Sequence, residues 1–157
     1  MGAPKKRIAA LDALGRIQDM RIDRAREEHA ERQRDFEAAD DLFRRAFDRA
    51  EAAERALRDR LSRGESLELE DLRRDQRHLA QLHEQTHERA RARDEASESL
   101  ERARQQLSRS RQEREGTTRL RDRARRARAV VEARREAQAL DEAWLLGRAG
   151  RGGMDAG

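Results

Sequence analysis

One feature constrains the chain more than any other: residues of one kind recur every seventh position. Ile8, Gly15, Ile22, His29, Phe36, Phe43, Ala50 and Leu57 share one place in the repeat. Leu11, Gln18, Ala25, Arg32, Ala39, Ala46 and Ala53 share the companion place. Large residues face small ones with occasional polar breaks, which is the pattern of a coiled-coil seam. Pro4 is the only proline in 157 residues, so nothing breaks a helix over this run. A chain this polar could also be a charged, disordered one, but disorder does not keep such a phase.

The seam stops at LSRGESLELE, residues 61–70, where Gly64 supplies a turn and Ser62 and Ser66 can stop or cap helices. A second run then begins, with Leu72, Leu79, Thr86, Arg93, Leu100 and Leu107 spaced by sevens and Leu82, Ala96 and Ala103 beside them. Its phase is expected to slip near residues 110–117 and to resume through Thr117, Leu120, Ala124, Ala127 and Val131. A short turn between long helices makes them antiparallel neighbours. The fold class expected is therefore all-α: a single coiled-coil domain, one long antiparallel two-helix hairpin with a longer C-terminal helix. Helix one covers about 5–61, the turn about 62–67, helix two about 68–146, and a flexible Gly-rich tail 147–157. The seam residues are Ile8, Leu11, Ile22, Phe36, Phe43, Leu57, Leu72, Leu79, Leu82, Leu100, Leu107 and Leu120. With the turn centred on Gly64, partner numbers sum to roughly 129, which sets Phe36 and Phe43 against Thr86–Arg93 and Gly15 near Gly116.

Composition narrows the chemistry. Charged residues are 45% of the chain and aromatics 3%, too few large apolar groups to enclose a reaction site. There is no cysteine, hence no disulfide and no thiolate metal site. No apolar stretch suits a transmembrane span or signal peptide, and Lys6 stands where myristoylation wants Ser or Thr, so a cytoplasmic protein is expected. Residues 83–87 read HEQTH, which matches the metalloprotease spacing H-E-x-x-H. A catalytic zinc also needs a third ligand and an enclosed site. His29 falls far along the hairpin and His78 faces elsewhere, so His83 and His87 read as partly exposed residues on a solvated flank. No phosphate-binding glycine loop is present, and no carboxylate pair has a reason to be buried. No enzyme, no metal and no cofactor are expected.

Charge is unevenly spread. Residues 27–59 carry eleven acids and seven arginines, whereas residues 102–135 carry thirteen arginines and four acids. Residues 5–26 add seven bases against three acids. In a hairpin the last two segments lie together, making the pole with both chain ends strongly basic. Such a pole attracts an acidic protein surface or, non-specifically, a phosphate backbone. No aromatic residue is interleaved with the arginines of residues 119–135, which argues against nucleic acid. A general coiled-coil scaffold, solubilised by its arginines, is the other alternative. Beyond the reach of helix one lies EAQALDEAWLLGR, residues 136–148, where Ala137, Leu140 and Trp144 share a face that Leu145 flanks. An unpaired helix end with the chain's one tryptophan points to a protein partner. The partner-binding residues expected are Arg119, Arg121, Arg123, Arg125, Arg126 and Arg128 with Val131, Leu140, Asp141, Glu142, Trp144 and Leu145.

The segment REAQALDEAW, Arg135–Trp144, carries a resemblance. Leu140, Asp141 and Glu142, with Gln138, Arg134, Arg135 and Glu136 before them, resemble the C-terminal motif of the FliJ/YscO family of type III secretion stalk proteins. From about Lys5 to Leu146 the chain is similar to that family in length and heptad plan. It departs in being rich in arginine and alanine. The resemblance implies a non-enzymatic central stalk at the cytoplasmic face of the inner-membrane export apparatus. The end carrying both termini would meet the pore of a hexameric secretion ATPase, and the stalk would couple that ring to the export gate protein. Some members of the family also capture export chaperones.

Overall fold

The computed structural model describes residues 3–64, 66 and 68–152. They form two helices, α1 (Ala3–Ser62) and α2 (Leu69–Gly152), packed as an antiparallel hairpin. α2 runs on through residues 147–152, in place of the flexible end expected there; arginine and alanine favour helix, and single glycines cost only about 1 kcal/mol each. The remainder of the expected tail, residues 153–157, lies outside the described residues.

Gly64 ends α1. Its φ of 65° is left-handed, the conformation glycine adopts without strain, and its N–H donates to the Leu61 carbonyl at 3.3 Å. Ser62 is the last residue of α1, and its hydroxyl donates to the Asp59 carbonyl of that final turn at 3.0 Å. α2 starts from Glu68, whose carbonyl accepts the Leu72 N–H, with Glu70 and Asp71 favourably placed in the positive first turn. Because Gly64 caps α1 and is not the midpoint of the connection, the register is later than expected. Cross-helix ion pairs join residues whose numbers sum to 133–137, as in Asp40–Arg93 and Asp12–Arg125.

The helices pack in two compact units. The contiguous unit is Ile22–Arg109. Its buried core is Ile22, Ala25, Ala46, Ala50, Ala103 and Leu107, with Phe36, Phe43, Leu57, Leu72, Leu79, Leu82 and Leu100 half-buried along the same line. Phe43 packs 6.1 Å from Phe47, and the Arg93 guanidinium covers the Phe43 ring at 4.8 Å while reaching Asp40 at 3.8 Å. One cation thus seals an aromatic edge and pairs a carboxylate. Arg60 donates to Asp75 at 2.6 Å near the turn.

The split unit is Met1–Arg21 with Ser110–Gly157. Its seam is polar. Ile8 and Gly15 are buried and Leu11 is half-buried, but Gln18, Ser110 and Thr117 are buried beside them, all under 9% exposed. This overturns the expected slip of phase. Ala96, Ala103, Ser110, Thr117 and Ala124 keep the spacing of seven without a break, as do Leu107, Arg114, Arg121 and Arg128, and all of them are buried or half-buried. The heptad is intact; its occupants turn polar, which hides it from a search for apolar residues. Leu120, expected in the seam, is 46% exposed and lies off it, and Ala127 and Val131 are exposed as well. Nor do two glycines meet. A side chain on Gly15 would come within 3.2 Å of the Arg114 guanidinium, whereas Gly116 has open space around it. The missing Cβ of Gly15 lets Arg114 lie across α1.

Two consequences follow from this polar seam. Among the described residues, the Gln18 Oε1 is buried without a hydrogen-bond partner, while the Thr117 hydroxyl is satisfied by the Glu113 carbonyl of its own helix. Gln18→Leu keeps the volume and removes the unmet acceptor. It should raise the unfolding free energy by about 1–2 kcal/mol, seen as a higher urea midpoint at unchanged slope. The second consequence concerns acid. Arg114 donates to Asp19 through Nε at 2.7 Å and Nη2 at 3.2 Å, and to the Thr118 hydroxyl at 2.7 Å. The Arg114 hydrogen bonds hold the Asp19 carboxyl below the usual carboxylate range; desolvation opposes them and the guanidinium charge reinforces them. A depressed folded-state value means the pair's contribution is whole above the unfolded value, about pH 4, and is lost as pH falls through the folded one. Unfolding followed across that acid range should show a small destabilisation that Asp19→Asn abolishes, small because the carboxylate is exposed.

Candidate functional site

α2 outlasts its partner. Arg128 is half-buried, and every residue from Ala129 to Ala149 is exposed. By the ion-pair register the start of α1 stands near residue 130, so the rest of α2 has no α1 to cover it.

Exposure there is not random. Continued past Arg128, the seam positions would be Val131, Arg135, Gln138, Glu142 and Leu145, and this line turns mostly polar. A different heptad starts at Val130. Val130, Ala137 and Trp144 recur in sevens, with Ala133 and Leu140 as companions. It repeats the large-against-small alternation of the intramolecular seam, but lies roughly 160° around α2 from it at 100° per residue. Val130 is 51% exposed, Leu140 72% and Trp144 59%. The Arg148 guanidinium stacks 5.2 Å from the indole centroid, shielding part of one ring face. Asp141 is exposed beside the stripe, whereas Glu142 is exposed on the opposite side of α2, on the seam line.

Of the expected site residues, the structure thus aligns Leu140 and Trp144 and leaves Val131 and Leu145 on another line. Val130 and Ala133 belong to the stripe and do not stand out in the sequence. Counting back from Trp144 in sevens reaches Val130, but Val131 beside it continues the first seam and masks it.

The arginines also sort differently from the expectation that all six project towards a partner. Arg119 pairs with Glu115, Arg121 with Asp12 and Asp122, Arg125 with Asp12 at 3.4 Å, and Arg128 with Glu132 at 2.7 Å. Arg123 and Arg126 are exposed and outside any ion pair among the described residues. Four of the six therefore hold the split unit together or brace α2. Even so, the split unit holds seventeen basic residues against ten acidic, so its field is positive.

His83 and His87 are exposed on α2, and among the described residues no group of three His, Cys, Asp or Glu is placed to hold a metal ion. His29 is half-buried in the seam, and His78 borders a shallow groove of 170 Å³ with Ala53, Leu57 and Leu79. No helix among the described residues is long and apolar enough to cross a membrane. No family model matches the chain, and no curated protein or solved structure matches it.

Proposed function

We propose that this protein is a non-enzymatic stalk of a type III secretion ATPase, as its resemblance to the FliJ/YscO family implies. The observation that carries the reading is the second heptad. A stripe of Val130, Ala133, Ala137, Leu140 and Trp144 repeats every seven residues and is exposed along its whole length. Coiled-coil seams are helix-binding surfaces, and this one is presented by a helix already braced over its first half by α1. A helical wall inside a hexameric ring is a partner of the right kind. In this reading the exposed end of α2 docks in the ring pore, and the positive field of the split unit, with Arg123 and Arg126 exposed, steers it to an acidic ring surface. In this reading the chain also couples the ring to the export gate protein at the cytoplasmic face of the inner membrane. Export chaperones, captured by some members of the family, are further partners in this reading.

The test is capture of purified secretion ATPase by the chain, together with stimulation of ATP hydrolysis. Wild type should do both, and variants of the second heptad should do neither while keeping their helix content. Capture of nucleic acid that weakens steeply with salt and ignores Trp144, without capture of the ATPase, would return the chain to a non-specific phosphate binder.

A further inference from the structure

α1 carries a second apolar face of its own. Leu14 is 41% exposed, Ile17 50% and Met20 60%, although each is a large hydrophobe on a helix whose other side is in the seam. With Ala10 and Ala13 they fill an arc of roughly 120° on α1, wide enough for a buried helix face. α2 does not cover it. The two ends of the arc are basic: Lys6 and Arg7 precede it and Arg21 follows it, all exposed and outside any ion pair among the described residues.

The acids of this stretch are elsewhere. Asp12 and Asp19 are the only carboxylates in residues 5–21, and both lie roughly 150° around α1 from Ile17. There they receive Arg114, Arg121 and Arg125 of α2. Cross-helix pairing has sorted the charges, leaving the apolar arc with a purely cationic rim. A two-faced helix of this kind, one face in a seam and the other apolar between cations, is matched to an anionic surface with an apolar layer just beneath it.

We infer that the Lys6–Arg21 face of α1 binds the surface of a bilayer containing anionic phospholipid. Leu14, Ile17 and Met20 would enter the boundary between headgroups and acyl chains, with Lys6, Arg7 and Arg21 among the lipid phosphates. A bilayer fits better than an acidic protein groove because the face is the convex outer side of one helix, with cations at both ends of the arc and neither Asp12 nor Asp19 on it. The helix lies in the interface plane, so no apolar span is required. The face is on α1 and is independent of the second heptad on α2.

The test is sedimentation with vesicles of phosphatidylcholine alone and with about 30% phosphatidylglycerol added, an anionic content that supports binding of basic helices. Wild type should sediment with the anionic vesicles only, and less as salt rises. Leu14→Gln, Ile17→Gln and Met20→Gln together keep the charge and the helix propensity, and should lower binding at least tenfold at unchanged helix content. Lys6→Gln with Arg7→Gln should lower it by about 25-fold, each cation contributing about 1 kcal/mol or fivefold. Trp144→Ala should leave it unchanged. Failure of wild type to sediment with anionic vesicles overturns the inference. So does full binding by the triple glutamine variant, since that would leave only diffuse charge. Binding to an acidic peptide in place of vesicles, lost in the same triple variant, would overturn it too and assign the face to a protein.

Discussion

Ala46→Asp should destabilise the hairpin by about 3 kcal/mol, against about 0.5 kcal/mol for Ala52→Asp six residues away. Ala46 is 3% exposed and Ala50, one turn on, is equally covered, so the two helices approach closely at this level. The ion-pair register sets Thr86 and Ala90 opposite, and both are half-buried. An aspartate there is too short to lift its carboxylate to solvent as a lysine or arginine would. It brings a charge into a covered layer of small residues, beside the carboxylates already on this acidic stretch of α1. Ala52 lies on the exposed face, so its aspartate costs only helix propensity. Thermal melting followed by circular dichroism would show a fall of roughly 10 °C for Ala46→Asp and almost none for Ala52→Asp. Equal effects from both would mean that the close approach of the helices at Ala46 does not exist in solution.

The same residue shows why the fold is legible in the sequence and the site only in part. Ala46, Phe43 and Ala50 announce themselves through periodicity, because a two-helix coil has one interface and its spacing is fixed by the helix. Gly64 marks the turn for an equally local reason. What sequence spacing does not convey is which polar residue is inside. Ser110, Arg114 and Thr117 keep the phase, yet a search weighted towards apolar residues sees a slip there. Arg114 is held in place by Gly15 and Asp19, which lie 95 or more residues away in the chain. The charge pole is legible as a sum, but its division is not. Whether Arg125 faces a partner or Asp12 is decided by register, and a shift of about one turn changes the answer. Leu14, Ile17 and Met20 share a spacing as plain as that of the seam, but a helix with one apolar face in a seam gives no local reason to look for a second.

The second large effect is on association. If the chain is the proposed stalk, Trp144→Ala should weaken its binding to the secretion ATPase by about 30-fold, or 2 kcal/mol, and Leu140→Ala by a smaller factor in the same direction. Trp144 is the largest side chain of the stripe and the one best able to fill a deep hole on a partner helix surface. Arg148 stacks on one face of its ring and leaves the rest of the indole open to a partner. The loss should appear mainly in the dissociation rate, as it does for buried anchors. Arg123→Ala and Arg126→Ala should act differently, slowing association and flattening its dependence on salt while leaving dissociation nearly unchanged. Arg125→Ala forms the control between them: its partner is Asp12, so it should loosen the split unit more than it alters the encounter. None of these residues touches the seam around Phe43, and the helix content of all these variants should match wild type. Surface-captured ATPase with the chain as analyte separates the two rates. If Trp144→Ala binds like wild type while Arg123→Ala does not, the contact is electrostatic and the second heptad serves some other helix.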